Sequence, residues 1–345
     1  MAREFGEVYT PDYWKSSLKD VDEVVKSVKR GRVTEMLPSA GKRPIYMIEY
    51  GQSNLPKGQA NLSSALGAHD YSCYANKTDP SYVPTVFFMG CVHGGEFEGT
   101  VAIMNLISLL ETGTDLAGKR NDSLLSLAEK LHLVLMPMCN PDGRSHIPFD
   151  NFVGHTFEDL RYYNQGAWKN GELCGWPGCK TRHPIKEHVS YLGGYFNDDG
   201  VNMMHEDFFG EISNESKILI DVCRKEVPDL SIQLHGGTNC ICTLLPNEYG
   251  SQENLERCMK LSNAVKVTLE ENGISYKVSG VGVISSAFGL KGAMHHVCGE
   301  PVLTFESNQG LLNCGAACYT YDEIYRSHML LFEESAKYVL STKKG

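Results

Sequence analysis

The chain has 345 residues, of which 42% are hydrophobic and 21% charged, and a formal net charge of -10. This is an ordinary globular composition, long enough for one large α/β domain with a real core. The acidic balance argues against nucleic acid and against an anionic membrane face, since both attract basic surfaces.

The opening stretch MAREFGEVYTPDYWKSSLKD has no apolar run of signal-peptide length. No other segment approaches a membrane span, so a cytoplasmic location is expected. Residues 19–31 pattern as an amphipathic helix and 43–51 as a strand. Residues 52–83, rich in Ser, Asn, Gly and Tyr, read as loop or hairpin. TVFFMGCV (85–92) is a continuous apolar run of strand length, and the helix after it runs to about Glu111, stopping near Gly113. SLLSLAEKL is a further helix. HLVLMPMC is a second buried strand, closed by the turn residues NPDGR.

Residues 144–212 carry many Gly, aromatic and His residues with little periodicity, which marks a functional surface excursion. The remainder alternates again: helix ESKILIDVCRKEV, strand LSIQLHGG, the long helix NLERCMKLSNAVKVTLEENG, strand PVLTFES and the closing helix DEIYRSHMLLFEESAKYVLS. Alternation of this kind predicts a largely parallel or mixed sheet covered on both faces, with its site at the carboxyl ends of the strands. Of the 12 cysteines, Cys91, Cys139, Cys223, Cys240 and Cys242 sit within apolar or strand-like runs, as expected of reduced, buried thiols.

Four of these apolar strands finish in residues that carry chemistry: His93 with Glu96, Asn140-Pro141-Asp142-Gly143, His235, and Glu306. One histidine at a strand end is more often structural than a ligand. Four such ends point to a site. His93-x-x-Glu96 is short enough for both side chains to reach one ion, and His235 completes the His₂Glu set of a hydrolytic zinc site. Zinc lowers the pKa of a bound water toward ~7 and polarises a carbonyl. Glu306 is the strand-end acid left to move the proton.

The ordered set HGGE, MPMCNPDGR, LHGG and LTFES resembles the zinc carboxypeptidase family, whose type member is carboxypeptidase A. The resemblance covers about residues 20–340. It implies a three-layer α/β/α fold around a mixed, mostly parallel, twisted eight-stranded sheet, in a single catalytic domain spanning 1–345. It implies one Zn²⁺ per chain, held by His93, Glu96 and His235, with Glu306 as general base and acid. Arg161, in EDLRYYNQG, lies where the family places the arginine that stabilises the tetrahedral oxyanion.

The chain departs from the family at its GVDxNRN stretch, where it has GVNMMHEDFF. Asn202 takes the place of the Asp behind the first zinc histidine. Met204 and His205 take the places of the Asn-Arg pair that grips a terminal carboxylate. A guanidinium is a permanently charged, bidentate clamp, whereas a histidine is neither. Arg144, directly after NPDG, is an alternative cation. Lys291, near the family's specificity pocket, would favour an acidic side chain or a second carboxylate if it points inward; its bland reading is a solvated lysine. His295 and His296 lie where the family's mobile loop carries a capping tyrosine, and Tyr276 is too early in the chain to supply it. Cys174-x₄-Cys179 with His183 and His188 has a loose zinc-type spacing, but the Gly-Trp-Pro-Gly turn also explains the close cysteines.

The resulting expectation is a zinc-dependent hydrolase cleaving an amide bond, a metallocarboxypeptidase-type peptidase whose substrate is a small peptide or an acylated amino acid. The alternative is an N-acyl amino acid deacylase of the desuccinylase/aspartoacylase type, which HGGEFEG also resembles. A non-catalytic zinc-binding protein is the reading from a different class, and retention of Glu306 argues against it.

Overall fold

The computed structural model describes residues 10–237, 242–247, 249–278, 289–312 and 320–342. Its strands are β1 (Arg32–Glu35), β2 (Tyr46–Tyr50), β3 (Thr85–Gly90), β4 (His132–Met136), β5 (Ala167–Trp168), β6 (Val189–Tyr191), β7 (Leu230–Gly237), β8 (Thr243–Leu245) and β9 (Val302–Asn308). The helices are α1 (Leu18–Ser27), α2 (Leu62–Gly67), α3 (Glu98–Thr112), α4 (Asp122–Ala128), α5 (Pro141–Ser145), α6 (Phe157–Leu160), α7 (Asn214–Glu226), α8 (Gln252–Glu271), α9 (Leu290–Cys298) and α10 (Tyr321–Ser341).

Among the described residues the main sheet has seven strands, not eight, in the order β1-β2-β4-β3-β7-β9-β8. The four central strands, β4-β3-β7-β9, are parallel, and antiparallel β1, β2 and β8 extend both flanks. The α/β class and mixed sheet are as expected. β5 and β6 form a separate two-stranded sheet inside the 144–212 excursion.

Period-two alternation builds the core. From β3 and β4, Val86, Phe88, Leu133 and Leu135 face one way, among residues of α1, α3, α4, α8 and α10. Phe87, Met89, Val134 and Met136 face the other way, among residues of α2, α7 and α9. Continuous apolar strands therefore mean burial on both faces.

Two local readings change, and a third, the exclusion of Tyr276 as a capping residue, stands. NPDGR is the first turn of a short helix, with the Asn140 side chain accepting the Gly143 N–H at 2.8 Å and Pro141 opening the helix. His295 and His296 lie in α9, not in a mobile loop. The His295 imidazole lies 2.8 Å from the Glu300 carbonyl oxygen. Tyr276 is a core residue whose hydroxyl lies 2.7 Å from that of Ser262 and accepts the Leu244 N–H. Nine described cysteines are free thiols and eight of them are buried; Cys240 lies outside the described residues.

His328 of α10 is fully buried, edge-on to Phe305 at 5.1 Å, with Nδ1 2.9 Å from the Ile324 carbonyl oxygen. Burial pushes its pKa down to about 4. The unfolded chain takes up this proton near pH ~6.5, whereas the folded one refuses it until about 4. Its contribution to stability is therefore complete above the unfolded value and is lost as the pH falls. Urea unfolding at pH 7 and pH 4.5 is expected to show wild type losing about 2–3 kcal/mol more than His328→Gln. Equal losses would remove His328 from the acid sensitivity.

Candidate active site

The four strand ends singled out in the sequence belong to the four adjacent parallel strands, so their carboxyl ends share one edge of the sheet. After β3 the chain passes through Cys91, which holds φ at 52°, a left-handed value unusual for a non-glycine residue. It then presents His93. Gly94 is required next by close approach: a Cβ there would fall 2.0 Å from the carbonyl carbon of Gly143, and its amide donates to Gly194 O at 2.6 Å. The HGGE turn is thus clamped against the NPDG turn. Asn164 adds to the clamp by accepting the Gly95 N–H at 3.2 Å.

Glu96 is 2% exposed and lies between two imidazoles. His93 Nδ1 is 2.9 Å from Glu96 Oε1, and His235 Nδ1 is 2.6 Å from Glu96 Oε2. One donor from each of the three residues lies within 4.8 Å of the others. The Asn202 amide oxygen stands 3.3 Å from His93 Nε2 and also accepts the Met204 N–H. An amide oxygen can only accept, so Nε2 carries the hydrogen and the Nδ1 lone pair faces Glu96. Glu96 Oε2, although close to His235, lacks an aligned hydrogen-bond partner. Buried nitrogen and oxygen lone pairs that converge in this way fit zinc.

Burial opposes the charge on Glu96, but the two imidazoles outweigh it and bring its pKa down to about 2. Burial lowers His93, against the pull of Glu96. Burial also works against a charge on His235, yet Glu96 and Glu306 raise its pKa overall.

Glu306 pairs across the sheet with His235 in parallel register. Burial raises its carboxyl to about 7; His235, Lys291 and Lys180 pull it down, and Glu96 pushes it up. Lys291 points inward and is 7% exposed, its ammonium donating to the Leu245 and Pro246 carbonyls at 3.2 and 3.0 Å.

The other candidates fall differently. Arg144 is buried and committed to structure: it donates to the Ser16 and Ile147 carbonyls, pairs with Asp150 and covers the Phe97 ring. Met204 packs against the α7/α9 core. His205 is held neutral, its pKa brought down to about 3 by burial, with Lys180, His93, His183 and His235 adding to the fall. Arg161 lies over Phe157 and against Gly175. Cys174 and Cys179 are buried in a small apolar cluster with Ile185 and Phe196, and burial pushes their thiols up to about 12 and about 11. His183 Nε2 is already taken by the Asn202 N–H at 2.9 Å.

Sequence reasoning passed over Lys180 and Tyr195. The Tyr195 ring lies 3.9 Å from the His93 ring, and Lys180 acts electrostatically on Glu306 and His205. Both sit in the aperiodic excursion, where nothing in the pattern distinguishes a site residue from a surface one.

An α/β sheet that brings a His₂Glu set and an adjacent acid to its strand ends defines a metallohydrolase. Residues 22–294 match the zinc carboxypeptidase family profile, and the chain belongs to that family; it is a carboxypeptidase-type zinc hydrolase. The matched span stops before Glu306. Three solved structures share the fold. The metallo-carboxypeptidase of Burkholderia cenocepacia is 14% identical, with a TM-score of 0.58 over 92% of this chain and 67% of that one. Carboxypeptidase A of Helicoverpa armigera is 15% identical, with a TM-score of 0.53 over 96% and 76%. Thrombin-activatable fibrinolysis inhibitor is 14% identical, with a TM-score of 0.58 over 96% and 76%. No curated protein sequence matches the chain. Among the described residues no helix is long and apolar enough to cross a membrane.

Because the Asn202 amide oxygen stands against His93 Nε2, Asn202→Ala is expected to weaken zinc binding about 10- to 100-fold in competition with a chromogenic chelator. Unchanged affinity would mean that this amide does not orient the ligand.

Proposed function

We propose that the protein is a carboxypeptidase with one catalytic zinc, acting on small peptides, with a preference for an acidic terminal residue. The observation that carries this reading is the cross-strand register that sets Glu306 beside His235. His93, Glu96 and His235 hold the metal, which when bound supplies Lewis-acid polarisation of the scissile carbonyl and acidification of water.

Glu306, with a pKa near 7, can take a proton from the attacking water and pass it to the departing amine. Arg161, the first residue of the turn whose Asn164 holds Gly95, is the side-chain donor assigned to the tetrahedral oxyanion. His205 is neutral, so it does not replace the family's guanidinium. Anion recognition falls instead to Lys180 and Lys291, whose charges act on Glu306 from two different elements. The inward Lys291 is the reason for the acidic preference.

The missing Asn-Arg clamp favours one competing reading, removal of an acyl group from an N-acyl amino acid; the family match weighs against it. Rates on N-blocked dipeptides ending in Glu or Asp, compared with acyl-glutamate and acyl-aspartate, decide between them. Faster turnover of the acyl amino acids would overturn the peptidase reading.

Relative to wild type, His235→Ala is expected to lose one equivalent of zinc per chain by plasma mass spectrometry. Equal metal in both proteins would refute the ligand set. Glu306→Gln should keep its zinc while kcat falls about 10²- to 10⁴-fold. Lys291→Met should narrow the ratio of kcat/KM between acidic and neutral terminal residues, and an unchanged ratio would remove Lys291 from recognition.

A further inference from the structure

A second cluster of buried histidine and carboxylates lies at the opposite edge of the same sheet. His132 is the first residue of β4, Glu49 is near the end of antiparallel β2, and Glu226 is the last residue of α7. Exposures of 3%, 3% and 8% place all three inside the protein. One donor atom from each lies within 4.8 Å of the others. They line a recess of about 510 Å³, together with Arg30, Arg32 and Gln52.

The polar accounting in this cluster is incomplete. Glu49 Oε1 accepts from Arg32 at 2.6 Å and lies 3.3 Å from His132 Nε2, but Glu49 Oε2 has no hydrogen-bond partner. A buried carboxylate oxygen left unpaired costs about 1–3 kcal/mol or more, and native structures usually satisfy it. His132 is oriented through Nδ1, which lies 3.3 Å from the Thr85 hydroxyl and 3.8 Å from Glu226 Oε2. Glu226 is an unusual residue to end a helix, because the carboxyl end carries negative partial charge and favours a cation. The charges that now face the two carboxylates are external: the side chains of Arg32 and Lys225 are 68% and 67% exposed. Such pairs hold weakly and can swing into solvent.

We infer that Glu49, His132 and Glu226 form a second divalent-cation site, distinct from the catalytic one, in which the ion takes the place of Arg32 on Glu49. One imidazole and two carboxylates suit zinc, whose nitrogen and oxygen bonds are about 2.0–2.2 Å long. The ion satisfies Glu49 Oε2 and the helix end together. It ties β2, β4 and α7 at a point remote from the strand ends that carry the catalytic set.

The test is isothermal titration of zinc into the full chain after metal removal by chelator. Wild type is expected to take two equivalents, and His235→Ala and His132→Gln one each, lost from different sites. Arg32→Ala alters only an exposed side chain and removes the competitor; it should tighten the second equivalent about two- to fivefold. A single equivalent that His235→Ala abolishes would overturn the inference while leaving the catalytic site intact. A second equivalent that survives His132→Gln, or that Arg32→Ala leaves unchanged, would also overturn it.

Discussion

The burial of Glu96 is the constraint around which the active edge is organised. An ionised carboxylate in a protein interior costs several kcal/mol unless opposite charge and hydrogen-bond donors surround it. Here the imidazoles of His93 and His235 flank its two oxygens at 2.9 and 2.6 Å, the converging donors call for a cation, and the backbone is held in position to deliver them. Cys91 accepts a left-handed φ, Gly94 gives up a side chain so that the two turns can touch, and Gly143 does so to pass Gly194. Two residues further on, Glu98 is 1% exposed, and burial raises its pKa well above the usual carboxylate range. Burial thus disfavours a second negative charge behind the cluster. The arrangement holds a single compact anion between two imidazoles, which suits a dication.

Against that set, the surroundings have changed sign-bearing partners relative to the family pattern. A guanidinium would be charged at any working pH, whereas His205 is neutral well into the acid range. The fields that reach Glu306 come instead from Lys180 in the excursion and Lys291 on α9. Point charges on flexible stems recognise an anion with less geometric restriction than a planar fork. On the proposed reading, terminal recognition in this enzyme is therefore electrostatic more than directional. The buried Lys291, fixed by two backbone carbonyls, supplies most of what direction remains.

The central sheet and the clustering of His93, Glu96 and His235 were legible because each depends on local pattern. TVFFMGCV, HLVLMPMC, LSIQLHGG and PVLTFES are long apolar runs, and chemistry-bearing residues at their carboxyl ends stand out from them. β1 and β8 escaped notice because they are short edge strands, defined by register with a neighbour more than by their own sequence. α9 was missed because LKGAMHHVC has a glycine and two histidines in a short helix stabilised by packing on α7. Arg144 misled for a related reason. Its position after NPDG is a local fact, but its partners Ser16 and Asp150 are supplied by the fold. Lys180 and Tyr195 reach the site only because the excursion folds back over it.

The two edges of the sheet hold similar donors yet differ in chemical capacity. At the catalytic edge, Glu306 stands beside the ligand set with its pKa raised to about 7, so a proton can be taken and returned near neutrality. At the opposite edge, burial would raise Glu49, but hydrogen bonds from His132 and Arg32 outweigh it and lower its pKa. That carboxylate stays ionised and makes a better ligand than base. On the proposed readings, the same parallel core therefore separates two roles of a buried His/Glu cluster: one edge serves turnover, and the other holds an ion and fixes β2, β4 and α7.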